Sequence, residues 1–450
     1  MRILLFICLF LSMGSSVASP SVFPTGTTIY DPGKAWNGFT LLSILDTRGA
    51  VLVDMNGRVV QRWPQFNLMP GGPARILPGG NIIGSIGSHP PHQEALALIA
   101  LDYNGNELWR FDRSERVKTA EGEFIWSARQ HHDWQRIDFP AGYFAPGRLP
   151  LLTGSRTLLL THSSHSNNNV SGVPLEDDRL VEVSGDGHVE WQWLAANHID
   201  ELGFNTVERA TIRSAPGVSE RRPTFDWLHI NSATYLGPNH WYEDGDMRFS
   251  PENIIISSRQ ASIIAIIART GSIVWQIGPD FTRSEQERRI KQIIGQHHAH
   301  MIPEGLPGSG NILIFDNGGS SGYGAPSPIA DNGLGIYARA SSRVLEINPA
   351  TLEIIWTYAA PNFFSTNISS TQRLLNGNTL ITEGASGRVF EVSQENEIVW
   401  EYINAPAQTD RNSNAIYRAY RVPYEWVPQV TIPEEVPVTR PDPATFVVPY

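Results

Sequence analysis

The chain has 450 residues, 10% of them aromatic, with 39 Gly, 32 Pro and a formal charge of −11. That balance suits a turn-dense β protein and argues against a nucleic-acid partner, whose phosphates call for a basic surface. The sole cysteine, Cys8, rules out an internal disulfide and thiolate pairs for a metal.

The N-terminal segment MRILLFICLFLSMGSSVASP has one cationic residue, an apolar run from Ile3 to Leu11, and small residues at Ser16 and Ala18. It reads as a secretory signal peptide over residues 1–18, placing the mature protein in a periplasm or outside the cell. The apolar run is too short for the ~20 residues of a membrane span, so no transmembrane segment is expected in the mature chain.

Residues 19–421 read as one domain. Six segments in it share a form: an apolar alternating strand, a turn of Gly, Asn, Asp or Pro, and a second strand closing on Trp. They end at Trp63, Trp109, Trp191, Trp275, Trp356 and Trp400. Period-two alternation around such a turn is a hairpin signal. Ahead of several hairpins lies another strand–turn–strand, as in ARILPGGNIIGSIG and STQRLLNGNTLITEG. Four antiparallel strands repeated radially make a propeller blade. The expected fold is therefore all-β, a six-bladed β-propeller. The wide spacings between the middle hairpins are assigned to inserted loops or short helices, such as GPNHWYEDGDMRFSPEN and PDFTRSEQERRIKQIIG. From Val422 to Tyr450 the chain is too rich in Pro for a central strand and reads as an extended strap across the propeller.

Of the 13 histidines, His89, His92, His188 and His240 lie in turn-like segments and read as solvated. His162 and His165, in THSSH, line the channel or satisfy neighbouring hydroxyls. Three other places occupy one phase of successive repeats, at the entry to the first strand. They are QHHDWQ (His131, His132, Asp133), DWLHINSATY (His229, Asn231) and GQHHAHM (Gln296, His297, His298, His300). Aligning the strands sets His132, His229 and His297 in register, with Ser370 and Thr371 at the next entry. First strands line a propeller's channel, so these imidazoles converge at one mouth.

Imidazole serves as ligand, proton shuttle or nucleophile. Three histidines with an open position are a zinc arrangement, and Asp133 is available as a fourth ligand. Arg259, ending the SSR of the fourth repeat, favours an oxyanion instead, because a guanidinium repels a cation and grips sulfate or phosphate. Arg343, in a matching SSR, reads as an outer-strand residue or local ion pair. No GxSxG elbow is present for a serine hydrolase.

DWLHINSA followed by SSRQ, then GQHHAHMIPEG, GNILIFDNGG, SSRVLEINP and NGNTLITEGASGRVFEV, resemble the bacterial arylsulfate sulfotransferase family in order and across nearly the whole mature chain. The resemblance implies an exported six-bladed propeller that needs no metal and no cofactor. It would transfer a sulfuryl group from a phenolic sulfate ester to another phenol, without a nucleotide donor, through a sulfohistidine. It implies His297 as the sulfated residue, His229, Asn231 and Arg259 as holders of the sulfuryl oxygens, His132 as the remaining catalytic histidine, and Thr371 closing the site. His131 and His298 are assigned to substrate binding; His298 exchanges with His297 if the register slips by one, and otherwise points off the channel wall. A non-catalytic propeller that binds a sulfated or acidic small ligand is the alternative.

Overall fold

A computed structural model of the chain describes residues 25–88, 94–406 and 414–439. The expected signal peptide at 1–18, and His89 and His92, lie outside the described residues. The structure is all-β with a propeller-like arrangement. Its sheets comprise one of five strands, three of four, one of eight, and two two-stranded ribbons. Every pairing between named strands is antiparallel, as consecutive meanders require.

The tryptophan hairpins explain the repeat. Ala50–Val53 pairs with Val59–Trp63, and Ile263–Ile267 pairs with Ile273–Ile277. Four of the six closing indoles reach sideways into the next hairpin's turn. Trp191 Nε1 donates to Arg269 O at 3.0 Å, Trp275 to Pro349 O at 2.8 Å, Trp356 to Gln394 O at 3.0 Å, and Trp400 to Met55 O at 2.8 Å. Each carbonyl belongs to a tight turn, so each latch ties a polar group of that turn while an aromatic body fills the seam; Met55 O accepts from Thr27 Oγ1 as well, at 3.0 Å.

Between sheets the core is aliphatic on both faces. Ile254, Ile256, Ile263, Ala265 and Ile267 are all fully buried, which is why IIISS and SIIAII read as unbroken apolar runs rather than alternation. The inserted segments carry short helices at His240–Glu243 and Glu285–Ile290. A further helix, Thr206–Arg213, starts at a capping box between Asn205 and Glu208, where the sequence reading placed none.

The first strands approach one another about a common axis and are stitched by side chains. Asn231 Nδ2 donates to Gln296 O at 2.7 Å, and Arg418 donates to Asn231 O at 2.6 Å. Gln372 exchanges two hydrogen bonds with the backbone of Arg421. The ring is closed by Ile416–Val422, which pairs with Phe39–Ile44. The chain then runs on over neighbouring turns: Gly80 N donates to Trp426 O, Gln429 to Gly79 O, and Tyr30 N to Val438 O.

Candidate functional site

Three non-glycine residues at strand entries take left-handed backbone: His132 (φ 54°), His229 (φ 51°) and His298 (φ 52°). The pairing register shifts at His132 and His298, and just after His229, at Asn231. A bulge of this kind re-aims side chains at a cost of ~1–3 kcal/mol per strained residue, and its recurrence marks one constructed mouth. It also corrects the register. His298 shares the left-handed backbone of His132 and His229, whereas His297 is the imidazole close enough for electrostatic coupling to both.

The His132 and His229 rings lie edge to face with centroids 4.8 Å apart. His229 Nδ1 is 2.6 Å from Asp226 Oδ2. Burial alone would raise the Asp226 carboxyl, but the imidazoles of His229, His162 and His132 outweigh it and hold the group ionised. Arg259 is placed by its own N–H, which donates to His229 O at 3.1 Å. Among the described residues its guanidinium has no hydrogen-bond or ion-pair partner, only the more distant charge of Asp226. It faces a cleft of about 450 Å³ that Ser320, Arg339, Phe364, Thr366 and Asn367 also line.

His297 is buried, and its two nitrogens are distinguished. Nδ1 lies 2.8 Å from Asn317 Oδ1 and 3.1 Å from Gly295 O. Asn317 Nδ2 donates to Ser365 O and Ile368 O, which fixes its Oδ1 as the acceptor. The ring proton therefore sits on Nδ1, and Nε2 is unprotonated, accepting from Ile368 N at 3.1 Å. Burial, then the Arg259 guanidinium, push this imidazole well below its ordinary pKa. Ile368 (φ 50°) and Ser369 (φ 89°), also left-handed, form the turn that covers Nε2.

His298 does not leave the channel wall as expected from an extended strand, because its segment is bulged. It is fully buried, with Nδ1 accepting from Thr371 N at 3.3 Å and Nε2 lying 3.3 Å from Tyr420 Oη. Beneath it His300 meets Tyr143 Oη at 3.0 Å. Thr371 Oγ1 and Asn231 Oδ1 are buried without partners among the described residues. Asp133 is paired with Arg75 at 2.7 Å and with Arg418 at 3.1 Å, so the acidic partner considered for a zinc on the strand-entry histidines is engaged elsewhere. Arg343 forms the local ion pair expected of it, to Asp316 at 2.7 Å.

His131 is buried, its Nδ1 2.8 Å from His132 Nδ1 and its ring stacked on His162 at 3.7 Å. His162 does not serve hydroxyls; its Nδ1 lies 2.8 Å from Glu94 Oε1. Burial lowers His131 and His132, whereas the carboxylates around His162, led by Glu94, overcome its burial and raise it to about 9. The sequence reading missed Asp226, Asn317, Tyr417 and Arg418. Asp226 was signalled by its position three residues before His229, and Asn317 lies in the quoted FDNGG. Tyr417 Oη, which donates to His132 O at 3.0 Å, carried no signal.

Residues 151–421 match the family model described as arylsulfotransferase (ASST). No curated protein matches the chain significantly. Among solved structures, the chain is similar to a protein of unknown function from Bacteroides caccae (12% identity, TM-score 0.45, covering 86% of this chain and 99% of that one). Another is virginiamycin B lyase from Staphylococcus aureus (11% identity, TM-score 0.34, covering 86% and 85%).

Proposed function

The chain belongs to the arylsulfotransferase family, whose model spans more than half of it, and on that premise we propose that it moves a sulfuryl group between phenols by way of His297. The observation that carries the reading is the unpartnered Arg259 guanidinium on a cleft beside an imidazole whose Nε2 is unprotonated. In the first half-reaction Nε2 attacks sulfur, the N–S bond forms, the S–O(aryl) bond breaks, and the phenolate departs with the bonding pair. Nδ1–H stays on Asn317 and shares the positive charge that develops on the ring.

Arg259 and His229 hold the non-bridging oxygens as preorganised donors, joined by the second amide hydrogen of Asn231, whose Nδ2 also donates to Gln296 O. In the second half-reaction an acceptor phenol gives its proton to His132 while its oxygen attacks sulfur and releases His297. The imidazolium so formed, destabilised by burial, then protonates the next leaving phenolate. One proton thus circulates, and no nucleotide sulfate donor enters.

Six blades are part of the same proposal. The eight-stranded sheet consists of two four-stranded meanders joined at the single pair Gln130↔Ala95, and counting it as two brings the total to six. Export to the periplasm or beyond is proposed on the leader at residues 1–18. No helix among the described residues is long and apolar enough to cross a membrane.

One observation favours the second reading, a propeller that only binds a sulfated or acidic ligand: the Nε2 lone pair is held by Ile368 N–H. Turnover of a chromogenic aryl sulfate with added phenol separates the two. Transfer predicts parallel double-reciprocal lines and one sulfuryl group on intact mass, absent in His297→Ala. Binding without turnover supports the second reading.

A further inference from the structure

His131, which the sequence assigns to substrate binding, is buried and is not among the residues lining the cleft. What it touches is His132. The two Nδ1 atoms are 2.8 Å apart, and the rings stand nearly perpendicular, at 86°. Two ring nitrogens facing each other at that separation hold one proton between them, because two lone pairs repel and two protons collide. Whichever ring donates, the other accepts, so the tautomer of one dictates that of the other.

His131 carries a single ring proton of its own. Burial, then the imidazolium of His162 stacked 3.7 Å from it, push it well below its ordinary pKa. Its other nitrogen, Nε2, faces Asp178 Oδ1 at 3.3 Å. The approach is longer than an ordinary hydrogen bond of ~2.9–3.0 Å, and neither atom has a hydrogen-bond partner among the described residues. Asp178 Oδ2 is occupied, accepting from Ile230 N at 3.0 Å. The line Asp178–His131–His132 thus has one free oxygen at its buried end.

The charge on Asp178 decides what the mouth receives. A carboxylate oxygen facing His131 Nε2 favours the proton on that nitrogen. Nδ1 of His131 is then bare and accepts Nδ1–H of His132, which leaves a lone pair on His132 Nε2. A proton on Asp178 has only Oδ1 to occupy and reverses the line: His131 Nε2 accepts, His131 Nδ1–H is donated to His132, and the proton of His132 moves to Nε2. Burial and Asp226 raise the Asp178 carboxyl, while the imidazolium of His162, its Nε2 3.8 Å from the same oxygen, pulls the other way. Since Nδ1 of His132 is taken up by His131, Nε2 is the nitrogen that can receive a phenol's proton, and only the carboxylate state leaves it bare.

We propose that His131 and Asp178 are positioning residues for the acceptor step: the Asp178 carboxylate sets the tautomer of His131, and His131 sets that of His132, with Nε2 left as the base. The inference rests on the transfer reading. In that step the phenol O–H bond breaks and the proton joins His132 Nε2. The phenol oxygen attacks sulfur, and the S–N bond returns its electron pair to His297. Neither His131 nor Asp178 touches the substrate.

Asp178→Asn tests the line, because it fixes the reversed sense. Its amide oxygen serves Ile230 N–H, which turns the NH₂ group toward His131 Nε2. The shape is kept and the proton on His132 is moved, as when the aspartate of a serine-protease triad becomes asparagine. With a nitrophenyl sulfate donor, whose phenolate leaves without a proton, sulfation of His297 should stay within about threefold of wild type, while transfer to phenol falls by ~10²–10⁴-fold. Exchange of labelled nitrophenolate into the donor, which needs no base, should be retained, and a merely structural defect would not spare it. NMR of nitrogen-labelled histidine, assigned with His132→Gln, should place the His132 proton on Nδ1 in wild type at alkaline pH and on Nε2 in Asp178→Asn. This arm needs no turnover, and in wild type alone it decides the matter if the variant fails to fold. The proposal is overturned if wild-type His132 carries its proton on Nε2, if folded Asp178→Asn transfers to phenol as the wild type does, or if it loses phenol transfer and nitrophenolate exchange equally. A wild-type protein that never sulfates His297 instead removes the transfer reading.

Discussion

Arg259→Lys separates charge from geometry at the proposed oxyanion cradle. The native guanidinium has no hydrogen-bond or ion-pair partner among the described residues and borders the cleft, so its replacement removes no hydrogen bond from the resting protein. Lysine keeps the positive charge but presents a point donor in place of the planar fork. One charge-assisted hydrogen bond to a sulfuryl oxygen is worth about 1.5–3 kcal/mol, which converts to a roughly 10- to 150-fold loss in kcat/KM for the aryl sulfate. Removing the charge as well, in Arg259→Ala, should cost about 10²–10³-fold in kcat by analogy with a lost oxyanion donor. The assay is initial-rate release of a chromogenic phenol at saturating acceptor, paired with thermal melts. Melting temperature should move by no more than about 3 °C, since the loss is confined to transition-state binding. An Arg259→Lys enzyme within threefold of wild type, or one whose loss of rate tracks a loss of stability, would refute the reasoning.

Asn317→Leu removes the acceptor that holds Nδ1–H of His297 and also strands Ser365 O and Ile368 O; pre-steady-state sulfation of His297 should slow by about 10²-fold. Because His297 is pushed well below its ordinary pKa, it stays neutral as pH falls through ~6.5. The single-turnover sulfation rate should accordingly hold level there, and an acid limb at or above that pH counts against the assignment. His300 is pushed by burial down to about 4, so the unfolded chain takes up its proton near ~6.5 while the native state resists until about 4. That group removes stability as pH falls across this window, and denaturant melts of His300→Gln should show a shallower loss than wild type. Trp400→Phe deletes the latch to Met55 O; chemical denaturation should report a loss of about 1–3 kcal/mol, with the active-site rates untouched.

The repeat was legible because its punctuation is chemical: an alternating strand, a turn that needs Gly or Asn, and an indole that reaches the neighbouring turn. His132, His229 and the adjacent pair His297 and His298 stood out because they gather at the strand entries of successive repeats, and Arg259 because it ends the SSR after the second strand of its repeat. What defeated the register at His297 and His298 is a left-handed bulge at a non-glycine residue; no side chain announces it, since the strain is imposed by the packed strands around it. Asp226 stood three residues from its partner and was overlooked only in the assignment of roles. The setting of His162 was not readable at all, because Glu94 lies 68 positions away and meets it only once separate sheet strands are aligned. Residues such as Arg418, which joins Asp133 from the far end of the chain, belong to the same class.

The pairing of Ile416–Val422 with Phe39–Ile44 has a consequence for biogenesis. A growing chain carries Phe39–Ile44 as an unpaired edge through most of its synthesis, and an apolar edge of that kind templates pairing with other chains. The same late strand brings Tyr417 to His132 and Arg418 to Asp133. A polypeptide stopped before residue 416 thus has an incomplete first sheet and an unsupported mouth together. On this architecture the mouth is completed only with the last strand, so forms truncated before it are expected to aggregate and to lack the proposed transfer activity altogether rather than retain part of it.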